Sequence, residues 1–150
     1  MMYAFSRDGA VPGGNLWKKV NSHGVPLNAV MASAVAGIVF ADKGTYGVSG
    51  LAHGANEYVL YPEWTEEYNY DRILATSNAI DNSNAGDIII YEMQTFGQNG
   101  NSVLAEYEQV IWDLTKAATD AGIIIVAAAG NGNENLDDTF YNSYNSRGDS

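Results

Sequence analysis

Asn131 is the residue best placed to do chemistry in this chain. It follows Gly130 at the end of the apolar run Ile123-Ile124-Ile125-Val126-Ala127-Ala128. In parallel α/β sheets, sites gather outside the carboxyl ends of the strands. An Asn amide held at such a rim is a good donor to a developing oxyanion. Read alone, the short Ala-Ala-Ala-Gly-Asn stretch favours a plain turn over a site. Glu134, Asp137 and Asp138 form an oxygen-rich segment of the kind that can hold calcium, but their spacing matches no EF-hand and a solvated acidic loop competes with that reading. His23 and His53 stand alone and do not make a zinc site. There is no Gly-x-Gly-x-x-Gly after a strand and no phosphate-binding lysine, which argues against nucleotide binding. Arg147-Gly148-Asp149 and Gly148-Asp149-Ser150 match short motifs that recur by chance.

The elements that must position these groups follow from hydrophobic period. Residues 1–28 are punctuated by Gly9, Pro12, Gly13, Gly14, Gly24 and Pro26 and read as irregular. From Ala29 to Ala41 the chain is apolar on every side, which predicts a helix inside a core, with Asn28 as its N-cap. A strand is expected over Glu57–Tyr61, a helix near Asp71 to Asn82, a turn at Asn84-Ala85-Gly86 and a strand over Asp87–Tyr91. The apolar spacing of Val103, Tyr107, Val110, Ile111, Leu114, Ala118 and Ala121 predicts a helix from Ser102 to Ala121, capped by Ser102 and closed by Gly122. The run Ile123 to Ala128 reads as a strand buried on both faces. Helix and strand alternate from 29 to 128, and such alternation predicts an α/β fold with a parallel sheet.

Composition narrows the function classes. Seven basic residues against eighteen acidic ones give a net charge of −11. A field of that sign repels phosphate backbones and anionic lipid, so neither nucleic acid nor a membrane surface is expected as a partner. Hydrophobic residues make up 46% of the chain, enough for a sizeable core. There are no cysteines, hence no disulfide, thiolate metal site or cysteine nucleophile. The N-terminus lacks the basic-then-apolar order of a signal peptide, and the longest apolar run is too short to span a bilayer. The tail from Gly130 to Ser150 is rich in Asn, Asp, Gly and Ser, and the reading is that a domain is cut there.

Four blocks taken together carry a resemblance. Ala34-Val35-Ala36-Gly37-Ile38-Val39, Gly47-Val48-Ser49-Gly50-Leu51-Ala52-His53-Gly54-Ala55, Gly86-Asp87-Ile88-Ile89-Ile90 with Met93 to Gly97, and Ala121 to Asn131 occur in that order. Each resembles a block of the subtilisin-like serine proteases, over about three-quarters of the chain. The resemblance implies a three-layer fold with a mostly parallel sheet, incomplete at both ends. It also implies residues 1–28 outside the match and a partial peptidase domain over 29–150.

On that resemblance, Asn131 is the oxyanion donor, and Met93, Gln94, Thr95, Phe96 and Gly97 line the substrate edge. Met31 occupies the position of the catalytic histidine, and a thioether cannot accept a proton. His23 and Asp8 are the remaining candidates for base and aspartate, although Pro26 argues against a helix starting at His23. No Gly-Thr-Ser follows, so the nucleophile is absent. The expectation is a proteolytic family with a peptide or protein substrate, represented by a chain inactive on its own. The alternative is a non-catalytic peptide-binding module on a protease-derived fold. The resemblance implies no cofactor, leaves calcium unsupported by a specific motif, associates such proteins with secretion and assigns no oligomeric state.

Overall fold

A computed structural model of the chain describes residues 2–6, 35–41, 43–45, 49–55 and 57–148. The chain divides into two compact units, Met1–Phe5 with Val59–Ser150, and Ser6–Tyr58. The expected N-cap Asn28 and the first part of the apolar helix lie outside the described residues, as do Asp8, His23 and Met31.

The larger unit is organised by apolar strands. Strands β1 (Met2–Ser6), β2 (Glu57–Tyr61), β5 (Ile88–Tyr91) and β8 (Ile124–Ala127) form one sheet in the order β2-β1-β5-β8. Two short antiparallel hairpins complete the strands: β3 (Trp64–Thr65) with β4 (Asn69–Tyr70), and β6 (Gln94–Phe96) with β7 (Ser102–Leu104). β5 and β8 run parallel, with Ile89 beside Ile125 and Tyr91 beside Ala127. β1 runs antiparallel to β5, placing Met2 beside Tyr91 and Phe5 beside Ile88. The sheet is therefore mixed, where the sequence predicts a mostly parallel one. β1 comes from a segment that reads as irregular, because five residues are too few to establish a period.

Helix α1 (Arg72–Asp81) begins where Asp71 caps it: its carboxylate accepts from the Leu74 N–H at 2.8 Å. Ala75, Thr76 and Ala79 form its buried stripe. Helix α2 (Gln109–Asp120) buries Ile111, Thr115 and Ala118, one position per turn. Gly122 follows it with φ +86°, the left-handed conformation that ends a helix without a Cβ clash. Both helices pack against one side of β5, where Ile89 and Tyr91 are fully buried, and Met93, Ala105 and Ile123 complete that core.

The opposite side of the two parallel strands is open. Ile88, Ile124 and Val126 are 37%, 50% and 51% exposed. Among the described residues this unit has two layers, not the three expected. The expected helix from Ser102 to Ala121 is also shorter. Ser102–Leu104 pair with β6, a 3₁₀ turn spans Ala105–Tyr107, and α2 begins only at Gln109. Cross-strand pairing buries Val103 to 1% exposure, which a helix starting at Ser102 would forgo.

In the smaller unit, residues 35–40 are helical and Ile38 is 64% exposed. Gly50 lies against the end of that helix, where a Cβ would come within 2.5–2.6 Å of the Ala41, Val39 and Phe40 backbone. Its N–H donates to the Ala41 carbonyl at 2.7 Å, and Phe40 stacks on Tyr58 with centroids 4.7 Å apart.

Candidate functional site

The carboxyl ends of β5 and β8 carry the concentration of polar side chains that defines a candidate site. Past β8, Ala128 donates its N–H to the Tyr91 carbonyl at 3.0 Å, extending the parallel ladder by one bond. The chain then crosses β7 closely. Gly132 donates to the Ser102 carbonyl at 2.8 Å, and a Cβ on Gly130 would sit 2.6 Å from the Val103 carbonyl carbon. With φ +89° as well, Gly130 is required on two independent grounds: handedness and room.

This crossing delivers Asn131 to the rim. Its backbone N–H donates to the side-chain oxygen of Gln94 at 3.1 Å. Gln94 in turn accepts at its backbone carbonyl from the Arg72 guanidinium at 2.8 Å. Two residues expected at one site are thus brought together, through backbone and side chain. Asn131, Gln94 and Phe96 are exposed, Thr95 is half-buried, and Gly97 packs tightly against the Tyr141 hydroxyl and Val103. Met93 is buried in the core at 4% exposure, so apolar packing accounts for it.

Arg72 is the hub that sequence reading misses. Its Nε donates to Glu63 at 2.6 Å, one terminal nitrogen to Glu108 at 2.8 Å and the other to the Tyr70 hydroxyl at 2.5 Å. Tyr70 also donates to Glu63 at 2.9 Å, and Thr95 donates to Glu108. The side chains of Arg72 and Glu63 are 10% and 18% exposed, whereas that of Glu108 is 43% exposed. Glu108 is the N-cap residue of α2 but makes no side-chain cap bond; its carboxylate serves Arg72 and Thr95. Arg72 is the sole lysine or arginine between Lys43 and Lys116, an isolation that does not point to its partners.

Among the described residues the cluster holds one cation, Arg72, and two carboxylates, Glu63 and Glu108. Burial pushes the Glu63 carboxyl up, but the positive charge around it, Arg72 included, outweighs burial and holds it below the ordinary value. Burial and the bond to Glu63 push the Tyr70 phenol up to about 12. Behind the rim, burial raises the Tyr91 phenol to about 12, against the opposing effect of the Thr115 hydroxyl that donates to it at 3.2 Å.

The acidic segment weighed for calcium, and read rather as a solvated loop, makes hydrogen bonds within the chain. Glu134 accepts from the side-chain amides of Asn99 and Asn101, both at 3.0 Å, which holds its carboxyl below the ordinary value. Asp138 caps the 3₁₀ turn Thr139–Tyr141 by accepting from the Phe140 N–H. Among the described residues no group of three or more His, Asp or Glu is placed to hold a metal ion. His53 is exposed in the smaller unit, its Nδ1 3.0 Å from the Gly50 carbonyl oxygen. The rim is thus a set of amide, hydroxyl and carboxylate groups around a guanidinium that already makes four hydrogen bonds, suited to hydrogen bonding with a polar group.

Comparison with known proteins bears on the expected family. No family model matches the chain. No solved structure matches it either. What it resembles is a permease. Over 41 residues, 27% of this chain, it is 56% identical to the amino-acid permease BAT1 homolog of Oryza sativa subsp. japonica and 58% identical to the amino-acid permease BAT1 of Arabidopsis thaliana. The chain covers 8% of the length of each. The subtilisin-like reading, with its proteolytic activity and its peptide-binding alternative, is corrected here: the similarity found is to membrane transporters and to no peptidase. The physical reason lies in the blocks that suggested it. Gly130 and Gly50 answer to local backbone crowding, and β-branched runs ending in small residues suit any parallel strand pair. No helix among the described residues is long and apolar enough to cross a membrane.

Proposed function

We propose that the chain is a transporter-related protein that associates with an amino-acid permease and modulates its transport. The observation carrying this reading is the identity of 56–58% over 41 residues with two plant permeases. A segment so similar keeps more than half of its counterpart's side chains. In trans, it can take the place that its counterpart occupies inside a permease, as exchanged elements do between identical chains. The polar rim at the ends of β5 and β8 gives the associated body a hydrogen-bonding surface of its own.

The reading is tested by co-expression with the Arabidopsis permease in cells lacking endogenous amino-acid uptake. The chain should co-purify with the permease and change the rate of labelled amino-acid uptake, while producing none when expressed alone. A version lacking the matched 41 residues should do neither. Equal behaviour of the two versions would remove the basis of the proposal.

A further inference from the structure

The β3–β4 hairpin displays an unusual surface for so acidic a chain. Trp64 and Tyr70 stand opposite each other in its register and are 42% and 59% exposed; Tyr68 in the turn is 54% exposed. Between them Glu66 and Glu67 are both exposed. Clustered exposed aromatics are a mark of recognition surfaces, where Trp and Tyr supply most of the binding energy.

A two-stranded hairpin is marginal by itself, yet this one is held from both ends. The Thr65 hydroxyl accepts from the Tyr68 N–H at 3.1 Å, and Asn69 takes the left-handed conformation with φ +56°. At its base Asp71 donates to the Glu63 carbonyl at 2.7 Å, and Tyr70 is tied to Glu63. The aromatic rings are therefore presented before any partner arrives, which lowers the ordering cost of binding.

We infer that this hairpin docks an arginine-bearing peptide segment of a partner protein. The argument is charge complementarity joined to ring chemistry. Among the described residues the cation at the hairpin, Arg72, is mostly buried and committed to Glu63 and Glu108, so the exposed side chains described there, Trp64, Glu66, Glu67 and Tyr68, are carboxylates and aromatic rings. A guanidinium satisfies both: it stacks on Trp and Tyr faces and bonds a carboxylate through two parallel N–H groups. Arg72 already lies over the Tyr70 ring at 5.7 Å, the same pairing within the chain. A lysine ammonium lacks the planar fork. Nucleic acid and anionic lipid meet the repulsion of Glu66 and Glu67. This inference goes beyond the permease reading and stands without it.

Fluorescence anisotropy on the full 150-residue chain tests it, with a labelled peptide of alternating arginine and glycine, its lysine counterpart and its glutamate counterpart. The arginine peptide should bind in physiological salt, the lysine peptide about tenfold more weakly and the glutamate peptide not at all. Trp64→Ala with Tyr68→Ala, and separately Glu66→Gln with Glu67→Gln, should each weaken binding about tenfold. All four side chains are substantially exposed, and circular dichroism verifies that each variant keeps the parent fold. Three outcomes would overturn the inference: absent binding of the arginine peptide, equal affinity in parent and variants, or preferential binding of the chain to phosphatidylserine vesicles.

Discussion

Arg72 and Glu108, 36 residues apart in sequence, are joined by a 2.8 Å hydrogen-bonded ion pair. This contact ties the start of α1 to the start of α2, and the same guanidinium reaches β6 through the Gln94 carbonyl. Removing it takes one cation from the mostly buried Glu63 and the ion-pair partner from Glu108, a loss that exceeds the worth of either pair itself. Arg72→Met should therefore destabilise the larger unit by about 2–4 kcal/mol. Glu108→Gln, at a more exposed carboxylate, should cost about 1 kcal/mol or less. Urea unfolding followed by circular dichroism distinguishes the two, and equal midpoints would show that Arg72 is not the hub.

Gly130→Ala should be more damaging than Gly86→Ala, although both glycines have positive φ, +89° and +92°. At Gly86 nothing lies within 4 Å of an added Cβ, so only backbone strain of about 1 kcal/mol is incurred. At Gly130 the Cβ meets the Val103 backbone, which cannot move without disturbing the β6–β7 hairpin. The expected cost there is about 2–3 kcal/mol, and the Asn131 to Gln94 bond should be lost with it. Denaturation midpoints of the two variants measure the difference.

Much of this architecture is readable from residue pattern. The strands Glu57–Tyr61, Ile88–Tyr91 and Ile124–Ala127 coincide with apolar runs, and α1 starts directly after the Asp71 cap. Failure sets in where tertiary pairing overrides local period. Val103 and Tyr107 fit a helical stripe with Ile111 and Ala118, yet pairing with β6 captures Ser102–Leu104 first. β1 escapes notice because five residues next to many glycines and prolines show no period. At the rim, Asn131 is marked by its place after the β8 run, whereas Gln94 enters only through the subtilisin-like resemblance. Arg72 is not legible, since its acidic partners lie 9 and 36 positions away and ion pairing leaves no periodic trace. Local motif likeness misdirected the choice of family because close backbone approach imposes glycine and small residues on unrelated α/β chains.

At high pH the chain should lose stability between about pH 10 and 12. Tyr91 ionises near 10 in the unfolded chain and at about 12 when folded, because burial disfavours its phenolate. The folded state therefore holds its proton longer. The stabilisation is fully present below pH 10 and is lost as pH rises through 12, amounting to about 2–3 kcal/mol for Tyr91. Tyrosinate absorbance should resolve late-titrating tyrosines in the folded chain, and Tyr91→Phe should remove one of them.

At low pH the sign reverses. The folded-state pKa of Glu63 lies below its unfolded value, so its contribution is present above the unfolded pKa and is lost as pH falls through the folded one. The urea midpoint should fall with acidification from about pH 5 downward. In Glu63→Gln that fall should be shallower, which a pH series of unfolding curves will reveal.

The proposed association with an amino-acid permease rests on the 41 residues that are 56–58% identical to two plant permeases. The most direct measurement is co-purification of the tagged chain with the Arabidopsis permease from detergent-solubilised membranes. An unrelated transporter and a chain lacking the shared residues serve as controls. The account predicts recovery of the permease with the intact chain alone. Absence of the permease from that eluate, or its equal recovery with the deleted chain, would contradict it.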